Sequence, residues 1–235
     1  MTVADAAQGE VTGAGVRTRR VWDAPIRVMH WGLVVAIAAC WYTGRINELE
    51  YHHYAGYAVL FLVLLRLWWG VAGSSTARFA GFVRGPRAIA AYARTLHRRD
   101  TPHTHGHNAL GAVAILAMLG LIGAVAVVGL FVVDVDGLYS GPLSSYVTFK
   151  QGRGLARWHY DLFDWLLVVI ALHIVAVGFY LAWKRHNLVG PMISGRSRAH
   201  SVTGEEVTAA PAWRLLVGVL LSAAIVWAIS TGFYF

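Results

Sequence analysis

The stretch ALGAVAILAMLGLIGAVAVVGLFVV, residues Ala109–Val133, contains no ionisable side chain. As a helix rising about 1.5 Å per residue, it is longer than the roughly 30 Å of hydrocarbon in a bilayer. Because lipid offers no hydrogen-bond partner to backbone amides and carbonyls, a segment that crosses the bilayer must be helical. The stretch therefore predicts a transmembrane helix and places the chain among membrane proteins.

Other parts of the chain carry the same signal. The further apolar blocks are residues 28–44, 52–73, 165–183 and 213–235, and the fourth span is predicted over residues 158–183. Charged residues make up 14% of the chain, against about 25% in an average protein. We therefore predict an all-α integral membrane protein, with a four-helix transmembrane bundle in residues 21–198 and a fifth, C-terminal transmembrane helix in residues 213–235. Residues 1–20 are predicted to be a disordered tail, and residues 199–212 a linker.

Lysine and arginine are divided unequally between the two ends of the spans. Fourteen flank the span ends on the side of the N-terminus, and four flank the opposite ends, namely Arg45, Lys150, Arg153 and Arg157. The positive-inside rule then predicts a cytoplasmic N-terminus and, with five spans, a periplasmic C-terminus. The net charge of +8 is read as a topology signal, and no nucleic-acid partner is predicted.

Cysteine usage limits the cofactor chemistry. Cys40 is the single cysteine, and it lies inside the first span. The chain has no Cys-x-x-Cys-His motif for covalent haem and no cysteine cluster for an iron–sulfur or zinc site. The simplest interpretation of Cys40 is a small apolar packing residue.

Histidines are the notable polar residues of the spans, where ionisable side chains are costly without a partner. His159 and His173 are fourteen residues apart on the fourth span. They therefore project from one helix face, about 21 Å apart along the helix axis. That separation suits two haems stacked across one bilayer, each taking one axial imidazole from this helix.

Span direction assigns a depth to each histidine. His30 begins the first span and shares the inner side with His173, whereas His52 begins the second span and shares the outer side with His159. We predict that the inner pair, His30 and His173, coordinates the iron of one haem b. The outer pair, His52 and His159, would coordinate the iron of a second. A single membrane histidine is more often a hydrogen-bonded core residue, and on geometry alone the adjacent His53 serves as well as His52.

Three further residues are predicted to contact haem. Gly44 follows His30 by fourteen residues and Gly56 follows His52 by four, so both lie on ligand faces, where a flat macrocycle needs close backbone approach. Packing of small residues between helices is the alternative. Arg66 follows His52 by fourteen residues and could pair with a haem propionate. Its alternative is snorkelling toward the cytoplasmic interface.

Several separate motifs then point to a family. They are RVMHW (Arg27–Trp31), GHNALG (Gly106–Gly111), RWH (Arg157–His159) and NLVGPMISGRSR (Asn187–Arg198). In this order they resemble the di-haem cytochrome b subunits of nickel–iron hydrogenases, and especially bacterial cytochrome b561-like proteins. The resemblance covers roughly residues 21–198.

The resemblance implies a four-helix core with bis-histidine haem ligation in the bacterial inner membrane. It implies electron transfer between a membrane quinone and a redox partner at the outer face. In the family pattern the ligand stands four residues before a glycine, which favours His52 over His53. His107 falls in the family-like GHN piece and is expected near the inner haem or a quinone.

The fifth span and the short outer loop after the first span are departures from the hydrogenase subunits. They favour a stand-alone cytochrome that works with a soluble, cytochrome c-like partner. The alternatives are a haem oxidoreductase acting on a small molecule such as superoxide, and an electron-relaying anchor for a hydrogenase or dehydrogenase. The fifth span has no His, Met or Cys, and its small residues, Gly218 and Ser222 among them, predict packing on another helix, in a homodimer or against a partner.

Overall fold

A computed structural model of the chain describes residues 18–99, 108–198 and 207–233. The helices in these ranges are α1 (Ala24–Arg45), α2 (Leu49–Ala72), α3 (Phe79–Phe82), α4 (Pro86–Ala93), α5 (Ala109–Gly129), α6 (Phe149–Ala182), α7 (Val189–Ser194) and α8 (Ala212–Ser230), with a 3-10 turn at Ser144–Tyr146. Five of them, α1, α2, α5, α6 and α8, are long and apolar enough to cross a membrane. The predicted all-α membrane fold is therefore confirmed.

Two helical hairpins form the bundle. Helix α1 packs along α2, α5 packs along α6, and the hairpins meet where α2 contacts α5. Leu33, Val59, Ile122 and Leu166 come from these four helices and meet in one buried cluster. Because each helix contributes to the same apolar cluster, the four-helix arrangement is held by packing at the centre of the bundle.

The bundle has two chemically different ends. We call the end formed by residues 78–99 and 184–198 the basic end, because these two segments carry nine of the eighteen arginines. At this end Asp23 caps α1: its Oδ1 accepts a hydrogen bond from the amide of Ile26 (2.9 Å), and its Oδ2 accepts one from Trp69 Nε1 (2.8 Å). The start of α1 is thereby tied to the end of α2.

Helix α6 begins at Phe149, nine residues before the predicted start of the fourth span at residue 158. Thr148 and Gln151 form a capping box, in which each side chain accepts a hydrogen bond from the other residue's amide. The helix has 34 residues and is about 51 Å long, so it extends beyond the hydrocarbon region. Residues 149–157, between the predicted third and fourth spans, are therefore helical, which the local cap explains.

Part of the N-terminal tail has regular structure, so the prediction of disorder to residue 20 was wrong for its last three residues. Strand β1 (Thr18–Arg20) pairs antiparallel with β2 (Arg196–Arg198). The amides of Val21 and Trp22 both donate to the carbonyl of Gly195, at 2.8 and 3.2 Å. The pairing partner is distant in the sequence, so composition near the tail does not reveal it. Residues 1–17 lie outside the described ranges.

Helix α8 packs on α2 of its own chain. A Cβ at Gly218 would lie 2.3 Å from Trp68 Cδ1, so glycine is required for this close contact. Trp68 Nε1 donates to the carbonyl of Arg214 (2.8 Å), whose side chain donates to the carbonyl of Ala72 (3.2 Å). The small residues of α8 were predicted to pack on another helix. In the structure Gly218 packs on α2 of the same chain.

Replacing Gly218 with leucine should detach α8 without removing haem. The larger side chain would collide with Trp68, and overpacking of this kind costs about 1–3 kcal/mol. We expect a lower thermal unfolding temperature, with unchanged haem content measured by absorbance. Ala223, which is exposed on the same helix, provides the matched control in Ala223→Leu. Loss of haem from Gly218→Leu alone would contradict a passive role for α8.

Candidate functional site

The outer pair comes together between the two hairpins. The ring centres of His52 in α2 and His159 in α6 are 6.0 Å apart, and the ring planes are at 81°. Two imidazoles bound to opposite sides of one metal ion have ring centres roughly 6 Å apart, because each metal–nitrogen bond is about 2 Å long. The separation would allow both imidazoles to hold one metal group between them.

Both rings of the outer pair are oriented by backbone carbonyls of the preceding helix. His52 Nδ1 donates to the carbonyl of Cys40 in α1 (2.8 Å), and His159 Nδ1 donates to the carbonyl of Val125 in α5 (3.0 Å). Metal-binding histidines commonly donate their second ring N–H to such an acceptor, which fixes the tautomer. In both rings this leaves Nε2 as the nitrogen for a metal.

A glycine stands four residues after each of these carbonyls. A Cβ at Gly44 would lie 3.2 Å from His52 Nδ1, and a Cβ at Gly129 would lie 3.0 Å from His159 Cε1. Glycine therefore lets each imidazole approach the helix backbone that holds it. Gly44 was selected from the sequence, whereas Gly129 and the two carbonyls were not. The signal that could have found Gly129 is its position near the end of the helix before His159, which matches Gly44 before His52.

Two residues close to His52 in α2, His53 and Gly56, have different surroundings. His53 lies beside Tyr57, with ring centres 6.5 Å apart, so His52 is the member of the adjacent pair that faces His159. A Cβ at Gly56 would meet no atom within 4 Å. Gly56 therefore borders open space one turn after His52, and helix packing does not account for it.

The inner pair is less tightly connected. His30 lies in the second turn of α1 and His173 lies in α6, near enough for an electrostatic interaction between the two side chains. The His30 ring stands edge-on to Trp31, with ring centres 5.1 Å apart. Within the described part of the chain, His30 Nδ1 is buried without a hydrogen-bond partner. Since a buried polar atom left unpaired is costly, this nitrogen fits a site completed by a group outside the polypeptide.

Arg66 is buried rather than placed at the membrane surface, with 7% of the residue exposed. Its guanidinium lies 4.8 Å from the centre of the Phe79 ring, and its Nη1 has no hydrogen-bond partner among the described residues. Asp23 interacts with it electrostatically, but both carboxylate oxygens of Asp23 already accept hydrogen bonds from other groups. Arg66 is therefore a buried donor at the basic end, where it could pair with an anionic group such as a propionate.

The donor set suits a cofactor that brings most of its own ligands. Among the described residues no group of three or more His, Cys, Asp or Glu side chains could hold a bare metal ion. Histidine pairs are sufficient for haem, because the macrocycle supplies the four equatorial nitrogens. The residues present therefore fit haem b better than a protein-only metal site. His107 lies outside the described residues.

Cations occur at the end of α1 and on the first turns of α6, at the end of the bundle that holds the outer pair. Arg45, Lys150 and Arg157 are exposed, whereas Arg153 is half-buried and donates to the carbonyl of Val133 (3.2 Å). Lys150, Arg153 and Arg157 lie on the first turns of α6, which lead directly to His159. The first turns of α6 therefore carry a cluster of cations, and the same end of the bundle also carries six acidic residues, Glu48, Glu50, Asp134, Asp136, Asp161 and Asp164.

Comparisons with known proteins relate the chain to a family of membrane cytochromes. The family model described as Prokaryotic cytochrome b561 matches residues 21–195. A protein of Azotobacter chroococcum mcd 1 is 24% identical over an alignment of 210 residues, and the match covers 74% of this chain and 86% of the relative. One from Azotobacter vinelandii is 27% identical over 215 residues, with the same coverage. Both are named "Probable Ni/Fe-hydrogenase B-type cytochrome subunit". No solved structure matches significantly.

Proposed function

Since the chain belongs to the prokaryotic cytochrome b561 family, and is therefore a membrane b-type cytochrome of electron transfer, we propose that it carries electrons between the quinone pool and a redox protein. In this proposal two b haems are held across the bacterial inner membrane, one by the inner pair and one by the outer pair. The observation that carries the proposal is the outer pair, His52 and His159, with ring centres 6.0 Å apart and both Nδ1 atoms engaged.

Haem b, when bound, supplies a one-electron iron couple. The chain's part is to position and insulate it. The carbonyls of Cys40 and Val125 hold the outer imidazoles in one tautomer and make Nε2 a better electron donor to the metal. Arg66 offers a buried positive charge that would hold a haem propionate at the inner site.

The proposed orientation places the basic end in the cytoplasm and the outer pair near the periplasm. A C-terminal alkaline phosphatase fusion should then be active, because the enzyme folds only after export. The same reporter fused after Arg99, at the basic end, should be inactive. The reverse pattern of activities would contradict the orientation.

The proposed redox partner is an acidic periplasmic protein that docks on the exposed cations at the start of α6, Lys150 and Arg157. Opposite charges steer such partners together, and salt screens the attraction, over about 8 Å at physiological ionic strength. We expect electron transfer to an acidic cytochrome c to slow as ionic strength rises. Replacing Lys150 and Arg157 with glutamine should flatten this dependence, whereas replacing half-buried Arg153 should alter it less. A rate that is indifferent to salt would argue against docking by charge.

A second candidate function rests on the names of the two Azotobacter relatives. In that case the cytochrome would anchor a nickel–iron hydrogenase and accept electrons from it. Purification of the tagged cytochrome from its native membrane distinguishes the candidates. A co-purifying hydrogenase with hydrogen-dependent haem reduction would favour the anchor, and reduction by quinol without any such subunit would favour the stand-alone cytochrome.

The direct test of the proposed function uses purified, haem-loaded protein in lipid vesicles. Added quinol should reduce the haem at least as fast as electrons pass through the protein in steady state. A soluble cytochrome c should then reoxidise the haem. Absorbance follows both steps. Haem that quinol cannot reduce, although dithionite can, would contradict a role in quinone-linked electron transfer.

A further inference from the structure

An apolar pocket lies at the basic end, between the turn that follows α4 and the last turns of α6. Its volume is about 390 Å³, and its walls are formed by Leu96, His97, Phe179 and Trp183. The pocket lies away from the outer pair, and none of its lining residues is needed for the haem sites described above. Its position at the end of a transmembrane helix places it where acyl chains meet headgroups.

The pocket is built on a fixed turn. Lys184 is buried and donates to the carbonyls of Thr95 (3.3 Å) and Arg98, which binds the turn to the end of α6. The hydroxyls of Tyr92 in α4 and Tyr180 in α6 are 2.9 Å apart. Burial and this hydrogen bond raise the pKa of the Tyr92 phenol. Both contacts hold the two walls of the pocket together.

Positive charge surrounds the pocket. The Arg99 guanidinium lies 4.3 Å from the centre of the Trp183 ring, at the wall of the pocket. Arg94, Arg98 and Arg185 are exposed on the adjoining segments. Neither residues 51–99 nor residues 165–198 include an Asp or Glu, and Asp100 lies outside the described residues. An apolar wall and a cationic rim therefore occur together.

We propose that this pocket binds an anionic phospholipid. An acyl chain would lie against Leu96 and Phe179, and the phosphate would meet the guanidiniums of Arg98 and Arg99. Arginine suits this role because its planar fork donates two parallel hydrogen bonds to one phosphate. Basic residues beside transmembrane helices attract anionic lipid by about fivefold in affinity per residue. A soluble anion would use the rim but not the apolar wall.

The test measures lipid binding to the full, detergent-solubilised protein by native mass spectrometry. Phosphatidylglycerol is titrated against phosphatidylcholine of the same acyl chains. We expect a clear preference for phosphatidylglycerol, which falls roughly 30-fold in the double variant Arg98→Gln, Arg99→Gln. The matched control, Arg45→Gln with Lys150→Gln, removes two exposed cations from the opposite end of the bundle and should keep the preference.

Further variants and a competition experiment test the same pocket. If the double variant does not fold, Arg99→Gln alone should lower the preference about fivefold. Leu96→Gln should weaken the binding of phosphatidylglycerol, because it places a polar group in the apolar wall. Equal binding of the two lipids by the unaltered protein, or equal losses in the test and control variants, would overturn the proposal. So would displacement of the lipid by inorganic phosphate at equal concentration. The readout does not depend on electron transfer.

Discussion

Replacing His159 with alanine should lower the haem content of the purified protein from two groups per chain to one. The variant removes one of the two proposed axial imidazoles of the outer haem, and an iron with a single remaining ligand is held far more weakly. His52→Ala should remove the same haem, since the two rings face each other at 6.0 Å. Haem content is measured by the pyridine haemochrome assay, and electron transfer to an outer acceptor should be lost with it.

A variant that lacks both His52 and His159 distinguishes one shared haem site from two different haem sites. If His52 and His159 hold one haem, His52→Ala with His159→Ala should still retain the inner haem and resemble either single variant. His53→Ala is the matched control and should keep both haems, because His53 faces Tyr57. His30→Ala and His173→Ala should both remove the other haem. A double variant of the outer pair without any haem would contradict the pairing.

Gly129→Val should also empty the outer site, although no proposed ligand is changed. A Cβ at this position would already lie 3.0 Å from His159 Cε1 and 3.2 Å from its Nδ1. The two further methyl groups of valine would push the ring away from the carbonyl of Val125, to which it donates. Overpacking of about 1–3 kcal/mol corresponds to roughly a 5- to 150-fold loss of haem affinity.

Gly120→Val is the control for this substitution. Gly120 lies in the same helix, and a Cβ there would meet no atom within 4 Å. Both variants introduce the same β-branched residue into α5, so they share its cost to helix stability. Full haem occupancy in Gly129→Val, measured beside Gly120→Val, would show that the close approach of His159 to α5 is not needed for binding.

Much of the fold could be predicted because a single apolar segment satisfies its own backbone hydrogen bonds in hydrocarbon only as a helix. The uncharged run at residues 109–133 requires a helix on length and polarity alone, and α5 forms there. Hydropathy does not determine where a helix ends in water. The start of α6 at Phe149 depends on hydrogen bonds between Thr148 and Gln151, and the TFKQ sequence that makes them lies outside the apolar block. The β1–β2 pairing depends on a distant segment.

Only the part of the candidate site that consists of distinctive side chains could be predicted from the sequence. Histidines inside spans stand out against apolar neighbours, so the depth of each in its span is enough to predict the pairing of His52 with His159. The groups that orient them are backbone carbonyls, which every residue has and no sequence marks. Gly129 acquires its role only when α5 lies beside α6. Arg66 had two equally weighted interpretations, and its burial depends on tertiary packing against Phe79.

The central claim is that one chain holds two bis-histidine b haems. The most direct test combines the pyridine haemochrome assay on protein of known concentration with electron paramagnetic resonance of the oxidised state. The account predicts two b haems per chain and low-spin signals alone, because both irons carry two strong-field imidazoles. A ratio of one haem per chain, or a high-spin signal from the intact purified protein, would contradict it.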